Sequence, residues 1–428
     1  MALSDHVVDL SLLKTNRDFR RLMIARTVSL LGLGLLSVSV PVQVYDLSGS
    51  SFLVGLAMTL DGLGMFVGLL LGGVLSDIHD RRRLILVARS ACGIGFACLA
   101  VNSLLASPSL AAVLVLSVWD GFFGAIGIAA LTAAMPAIVG RPHLMQARAL
   151  GMLTVRLAMV VSPIVGGIVI ASLDVSWNYT GAAVGTLLTV LTLLGLPRLN
   201  PPRASVRHPL RMLGEAIGIL SSNATLLSVV ALGTLTTVTS AIRALFPALA
   251  IDVYGGGAFE VGVMVSMVSV GAALGATVSR WASRLTRPGL VMGVLCLIAF
   301  ACVTALGVVS TLTGTLFVLI LYGYTTSVAS LLQYTIIQGH TPDAYLGRIN
   351  SLWTAQEVSG GSAASLGVGA LARVASPADA VLVVGATALL LCGMAMALSG
   401  TLRRAPFDAA DLGDVTVETG PNFPPGRT

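Results

Sequence analysis

Lysine is almost missing from these 428 residues, since Lys14 stands alone. With no Gly-x-x-x-x-Gly-Lys run there is no P-loop to cradle ATP phosphates within this chain, so its energy comes from a gradient or a partner. The five cysteines, Cys92, Cys98, Cys296, Cys302 and Cys392, lie inside apolar runs without Cys-x-x-Cys spacing and read as packing residues. The five histidines, His6, His79, His143, His208 and His340, fall in loops or at helix ends, with no pair at metal-ligand spacing. A Gly-x-Ser-x-Gly nucleophile elbow is lacking too. No catalytic residue, no metal ligand and no cofactor is expected, and an enzyme embedded in a membrane has little to work with. Such an enzyme would alter its ligand chemically, whereas a carrier only relocates it.

Charge is scarce as well, at 10% of the chain against 56% apolar residues and a mean hydropathy of +0.93. Soluble domains carry roughly 25% charged residues, so the surface this composition dictates belongs in lipid. The apolar runs are near 20 residues long, the length a helix needs to cross about 30 Å of hydrocarbon. The pattern predicts twelve crossings, over 22–45, 52–76, 84–106, 110–138, 149–172, 178–197, 224–250, 259–280, 288–310, 312–338, 350–372 and 378–402. The net charge of +6 does not point to nucleic acid, because the basic residues lie between hydrophobic runs rather than in a stripe on one face. Asp5, Asp9, Lys14, Arg17, Arg20 and Arg21 precede the first run and no small-residue cleavage site follows it. The first helix is expected to stay attached.

By these spans, with Arg280 at the end of the eighth counted in the loop that follows, 20 of the 25 basic residues fall in the termini and the even-numbered loops, and only Arg373 in an odd-numbered one. The positive-inside rule then places both termini in the cytoplasm, for a multi-pass protein of the cell inner (plasma) membrane. The expected organisation is a cytoplasmic segment 1–21, a six-helix bundle 22–197, a Pro- and Arg-rich cytoplasmic linker 198–223, a second six-helix bundle 224–402 and a tail 403–428. Asp408, Asp411, Asp414 and Glu418 with little apolar content predict disorder in that tail.

The two halves repeat at an offset of 200 to 207. Pro41, Phe52 and Gly55 answer Pro247, Phe259 and Gly262; Gly64 and Gly68 answer Gly271 and Gly275; Cys92 and Cys98 answer Cys296 and Cys302. Pro142, Arg148 and Thr154 answer Pro342, Arg348 and Thr354. Parallel six-helix repeats of this kind build one transporter architecture.

Between the second and third runs stands GGVLSDIHDRRR, Gly72 to Arg83. It resembles the cytoplasmic signature of the major facilitator superfamily, in which a Gly, an Asp four residues on and a basic cluster occupy a tight loop. Here these are Gly73, Asp77, Arg81, Arg82 and Arg83. The resemblance implies a cytoplasmic gate: the Gly permits close packing, and the Asp bonds a helix N-terminus of the other half and pairs with Arg when the gate closes. The plainer alternative is a solvated basic loop obeying the positive-inside rule. In the fifth run, SPIVGG (Ser162 to Gly167) is close to the Gly-Pro-x-x-Gly-Gly core of the antiporter branch, with Ser in place of the first Gly. Pro163, Gly166 and Gly167 would let that helix bend and approach a neighbour, or would simply be small-residue packing.

The likeness narrows at LSLLKT (Leu10 to Thr15), WDGFF (Trp119 to Phe123), MLTVRL (Met152 to Leu157), SLLQYT (Ser330 to Thr335) and LGRINSLWTAQ (Leu346 to Gln356). Together they resemble the enterobactin exporters of that superfamily from about residue 10 to 400. The resemblance implies an all-α membrane protein of major facilitator fold, two pseudo-symmetric six-helix bundles about a cavity, acting as a monomer. It implies secondary active export of a catecholate siderophore by proton antiport and alternating access. A broader drug or metabolite exporter on the same scaffold is the nearest alternative.

An Asp, Arg or Lys at mid-bilayer costs about 2.5–3.5 kcal/mol on insertion scales, so each needs a partner, water or a task. Asp120 lies near the centre of the fourth span, Arg156 and Glu357 about a third of the way into the fifth and eleventh, and Asp61 and Arg243 nearer the outer side. Arg26 and Arg89 stand close enough to helix ends to reach the interface by snorkelling. A buried carboxylate that changes solvation and partners between two states binds a proton in one and releases it in the other. Asp120 is the first candidate for that carrier, followed by Asp61 and Glu357; the alternative for Asp120 is a static salt bridge to Arg156 or Arg243. In the superfamily fold helices 1, 4, 7 and 10 line the cavity, which places Asp120, Arg243, Gln333 and Tyr334 where substrate would be; Trp119 and Phe122 on the fourth span and Arg156 on the fifth complete the substrate-cavity candidates. Catechol rings would stack on the aromatics and Arg243 would attract ionised oxygens. Ordinary aromatic packing competes with that role at each ring.

Overall fold

The computed structural model describes residues 11–200, 218, 223–341 and 346–407. Most of the expected linker 198–223 and nearly all of the acidic tail lie outside the described residues. Twelve long helices follow one another: α1 (Arg17–Ser48), α2 (Ser51–Ile78), α3 (Arg81–Ser103), α4 (Leu110–Val139), α5 (Leu144–Ser172) and α6 (Val175–Leu193), then α7 from Ala224 to Val253, α8 (Ala258–Val278), α9 (Pro288–Leu306), α10 (Leu312–Gly339), α11 (Leu346–Leu371) and α12 (Pro377–Leu398). Each expected crossing overlies one of them.

Polar side chains start these helices where the sequence turns. Asn16, Asp80, Ser109, Asp174 and Asn223 each accept a hydrogen bond from a backbone N–H of the first turn they precede, which would otherwise lack a partner in the helix. Gly49 ends α1 at φ 59°, a left-handed conformation that costs glycine nothing, and its N–H reaches back to the Tyr45 carbonyl at 2.7 Å.

Among the described residues, ten of the helices are long and apolar enough to cross a membrane. The other two, α6 and α11, are more polar and turn that polarity inward. Asn178 on α6 donates to Ser39 Oγ and to the Gly166 carbonyl, both at 2.9 Å, and Tyr179 Oη donates to Gln43 Oε1 at 2.7 Å. On α11, Ser362 and Ser365 are buried. Large apolar side chains such as Val115, Leu187, Phe317 and Leu390 stand exposed around the outside, the surface a lipid-solvated bundle presents.

Helix contacts repeat between the halves as the sequence does. In the first half α2 packs on α4, α3 on α4 and α6, and α1 on α5; in the second α8 packs on α10, α9 on α10 and α12, and α7 on α11. Two seams join the halves, α2 against α11 and α5 against α8, and these are related by the same exchange. The structure is therefore two pseudo-symmetric six-helix bundles.

Small residues make both seams possible. Gly55 and Gly369 face each other across the first, and Gly167 and Gly262 across the second; a Cβ built on Gly369 or Gly167 would lie 2.7 Å from a backbone oxygen of the facing helix. Backbones meet there because no side chain intervenes.

Candidate functional site

Between the bundles lies a cavity of about 550 Å³. α1 contributes Leu33, Ser37 and Val40, α2 contributes Met58, Asp61 and Met65, and α4 contributes Ser117, Asp120 and Gly124. From the second half come Arg243 on α7, Val261 and Val265 on α8, and Glu357, Ser362 and Ser365 on α11. The wall is aliphatic and methionine-rich, with three carboxylates and one guanidinium.

Local backbone chemistry aims Arg243 into this space. Pro247 has no N–H to offer the carbonyl of residue 243, so the α-helical ladder breaks one turn earlier. α7 tightens to a 3-10 turn over Ala241–Leu245 and widens to a π turn over Leu249–Val253. Arg243 is the exposed residue of that tight turn, while Ala241, Ile242, Ala244 and Leu245 are buried.

Asp61 and Asp120 come from helices whose backbones nearly touch, because Gly121 lies against the Asp61 carbonyl. The two carboxyls are close enough for the charge of one to act on the other. Behind Asp120, away from the cavity, α3 supplies Cys92 and Arg89. Asp120 Oδ1 is buried with no hydrogen-bond partner, and so is Arg89 Nε. The expected snorkelling of Arg89 is overturned: it is only 5% exposed and lies flat against α4 at Gly127. Its depth in the α3–α4 interface leaves no path for the head group to reach water. Arg26 is partly buried beside Gly151 on α5.

The other cavity candidates take different places. Trp119 turns to α3 and donates through Nε1 to the Ala91 carbonyl at 2.7 Å, with its ring tilted by 51° against Phe123 at 4.6 Å between centroids. Phe122 meets Phe123 edge-on at 5.0 Å. Gln333 is buried and donates through Nε2 to the Val229 carbonyl at 2.6 Å, tying α10 to α7. Tyr334 is 47% exposed, Arg156 is partly buried, and neither is among the cavity-lining residues. No salt bridge joins Asp120 to Arg156 or Arg243 among the described residues. Among the described residues the wall thus differs from the expected one in two respects: α2 and α11 line it where α10 does not, and no aromatic ring is part of it.

The cavity is shut at the end where α1 meets α2, α5 meets α6, α7 meets α8 and α11 meets α12. Tyr45 Oη donates to Asp252 Oδ2 at 2.6 Å, and Thr59 Oγ1 to the Ser362 carbonyl at 2.6 Å, both between the halves. Arg373 adds its guanidinium over the Phe52 ring at 4.3 Å. Pro163, Gly166 and Gly167 lie beside the other seam: Gly167 against Ala258 and Gly262, and Gly166 against Leu35 and Asn178.

At the opposite end the segment Gly73 to Arg83 is the last turns of α2 and the first of α3, joined by His79 and Asp80 where a longer loop was expected, and it makes contacts within its own half. Arg81 donates to the Ser76 carbonyl at 3.2 Å and the Ala133 carbonyl at 2.9 Å, and Arg82 donates to the Leu194 carbonyl. Gly73 faces open space, and Asp77 and Arg83 are exposed. Asp80, which sequence reasoning passed over, fixes this loop by accepting from the backbone of Arg82 and of Leu199 at 3.0 Å each.

The comparisons agree with this architecture. The chain is 44% identical over 398 residues to the enterobactin exporter EntS of Citrobacter koseri, covering 93% of this chain and 95% of that protein. It is 45% identical over 392 residues to the enterobactin exporter EntS of Escherichia coli O1:K1, covering 90% and 94%. Among solved structures, a POT peptide transporter variant superposes with a TM-score of 0.72 at 14% identity, covering 91% of this chain and 96% of its own. The nucleoside transporter NupG, in a variant form, gives 0.71 at 11%, covering 89% and 99%. The family model described as Major Facilitator Superfamily matches residues 22–365, and the chain, a multi-pass membrane transporter rather than an enzyme, belongs to that superfamily.

Proposed function

We propose that this chain exports a catecholate siderophore of the enterobactin class from the cytoplasm, driven by protons moving inward through the same cavity. The observation that carries the reading is a membrane-enclosed cavity closed at one end, set with Asp61, Asp120, Glu357 and Arg243. A volume of about 550 Å³ falls within the roughly 300–1,000 Å³ of small-molecule sites. Relatives at 44–45% identity over nine-tenths of the chain carry the name of enterobactin exporter.

Catechol rings fit the wall through Met58 and Met65, whose thioethers favour ring edges, while Arg243 faces their ionised oxygens. The three carboxylates supply the proton sites, and a carboxylate that is solvated in one state and desolvated in the other can carry one proton per cycle. Each charge moved down a potential of 100 mV contributes about 2.3 kcal/mol.

In this reading the protein works as a monomer in the inner membrane with both termini cytoplasmic. The bundles 22–197 and 224–402 rock about the α2–α11 and α5–α8 seams, joined by the linker 198–223. The closed end then faces outward, and Gly73, Asp77 and Arg81 to Arg83 form the cytoplasmic gate in its undone state. Pro163, Gly166 and Gly167 provide the close approach on which α5 rocks. The test is deletion of the gene under iron starvation, with intact siderophore assayed in medium and cytoplasm. Secretion should fall and cytoplasmic siderophore rise; unchanged secretion with raised drug sensitivity would instead favour a broader efflux carrier.

A further inference from the structure

Asp120 and Arg89 present an unusual pair of facts. Each carries a polar atom that is buried and unpartnered, on facing helices of one bundle, and no salt bridge joins them. A buried cation and a buried anion in one helix interface ordinarily close onto each other, because each otherwise loses its hydration without compensation. Here the two charges act on each other without closing into a salt bridge, and Cys92 is the neighbour that hydrogen-bonds the Asp120 carboxyl.

The spacing on α3 shows that the missing movement is a change of side-chain rotamer. Cys92, three residues after Arg89 and hence on the same helix face, lies beside Asp120. The Arg89 guanidinium instead lies against Gly127, two turns further along α4 than Asp120. The backbone of Arg89 stands only three residues, about 4.5 Å along α3, from Cys92, so a rotamer that turns the guanidinium back from Gly127 toward Cys92, a swing of about two turns of α4, brings it to Asp120 without moving either helix. Gly127 leaves the guanidinium a flat place to rest, with a built Cβ falling only 3.4 Å from Arg89 Nε.

We propose that Arg89 is the internal counter-ion of Asp120, parked at Gly127 while Asp120 holds a proton and swung onto the carboxylate when that proton leaves. This rests on the proton-antiport reading above and adds to it the group that replaces the proton. Arg89 does not line the cavity, so it is a positioning residue that acts through Asp120 and does not touch substrate. The charged and titratable groups facing Asp120 are Asp61 from α2, Arg89 and Cys92 from α3, and, across the cavity, Arg243 from α7 and Glu357 from α11. Of these only Arg89 is a cation in the same bundle. Sharing with Asp61 accounts for proton capture, and the swing of Arg89 accounts for release: the carboxylate O–H bond breaks, the proton passes to water, and the ion pair forms in its place.

The test uses the full chain in proteoliposomes with enterobactin as the probe, reading proton-driven accumulation and gradient-free exchange side by side. Arg89→Gln should lower accumulation more than tenfold and flatten its dependence on pH, while exchange falls no more than about threefold. Arg89→Lys should restore part of the accumulation, since it keeps the charge but not the planar fork. Should Arg89→Gln fold poorly, Arg89→Gln with Asp120→Asn removes both charges at once and should recover folding and exchange without accumulation. Accumulation undiminished in Arg89→Gln overturns the proposal, as does a double variant that regains neither folding nor exchange, which marks Arg89 as structural only. A wild-type chain that exchanges enterobactin yet ignores a proton gradient rejects the antiport reading itself, and the counter-ion role with it.

Discussion

Tyr45 and Asp252 bridge the two halves: the phenol on α1 donates to Asp252 Oδ2 on α7 at 2.6 Å, at the closed end of the cavity. Tyr45 is buried while Asp252 is exposed, so the bond is sheltered on one side only. It exists only while the halves are together at this end, and its energy therefore biases the state and not the fold.

Tyr45→Phe should release that end. Interhelical hydrogen bonds in membranes average about 0.6 kcal/mol and reach about 1.7, and a charged acceptor favours the upper part of the range. About 1 kcal/mol corresponds to a fivefold shift toward the opposite-facing state. A cysteine placed at Ser365, on the cavity side of the seam, should react about fivefold faster with an impermeant maleimide added from the α1–α2 loop side. An unchanged rate would mean that the bond is incidental to closure.

Gly262 is a harsher test of the same closure. A Cβ there would lie 3.1 Å from Gly167 Cα and closer still to the Pro163 carbonyl oxygen, both backbone atoms with nowhere to go. Overpacking costs about 1–3 kcal/mol in a closed interface and nothing once the seam has parted. Gly262→Val should insert at wild-type levels yet export at less than a tenth of the wild-type rate, trapped with that end open. Gly55→Val should match it, because Gly55 meets Gly369 in the equivalent seam. Export near the wild-type rate in either variant would show that the seams need not close this tightly.

The helices and the repeat were legible because runs near 20 apolar residues and an offset of 200 to 207 depend only on the order of residues. Asp61, Asp120 and Glu357 were legible because a carboxylate inside such a run is rare enough to demand a task. The aromatic lining was not. Successive residues on a helix point about 100° apart, so a wall that extends from Asp120 to one side leaves Trp119 on the other side and Phe122 nearly opposite Asp120. Ser117, Gly121 and Gly124, at i−3, i+1 and i+4 from Asp120, all fall on one side of it, within about 100°, and line the wall, whereas Trp119 falls on the other side. That spacing was available in the sequence and outweighs a count of rings per helix. Arg89 was misjudged for another reason: its distance from the helix end suggested reach to water, while the rotation of α3 against α4, which buries it, is set by packing alone.

Met58 and Met65 replace the expected rings, and they make a specificity prediction. Sulfur–aromatic contacts contribute about 0.3–1.5 kcal/mol each, beyond the apolar area they cover. Met65→Ala should weaken apparent enterobactin affinity three- to tenfold in a binding or exchange assay, and Met58→Ala similarly. Tyr334→Ala, on a side chain outside the cavity wall, should change affinity less than twofold. The reverse ranking would move the substrate from this cavity to the exposed face of α10.

Asn178 tests the scaffold behind the seam, where stability and transport should separate. Its amide reaches Ser39 Oγ on α1 and the Gly166 carbonyl on α5, both at 2.9 Å, so one side chain on α6 fixes two helices. Asn178→Leu removes both bonds, but the Gly166 carbonyl retains its place in the helix ladder and only the Ser39 hydroxyl loses a partner outright. It already donates to the Leu35 carbonyl at 2.9 Å, so little is left unsatisfied. The expected loss is therefore about 1–2 kcal/mol, the sum of two ordinary interhelical bonds rather than the cost of an orphaned polar group. Thermal unfolding in detergent should occur a few degrees lower, and export at growth temperature should stay within twofold of wild type. A collapse of export at unchanged stability would instead place Asn178 in the rocking motion of α5, since Gly166 is one residue from the Gly167 contact with α8.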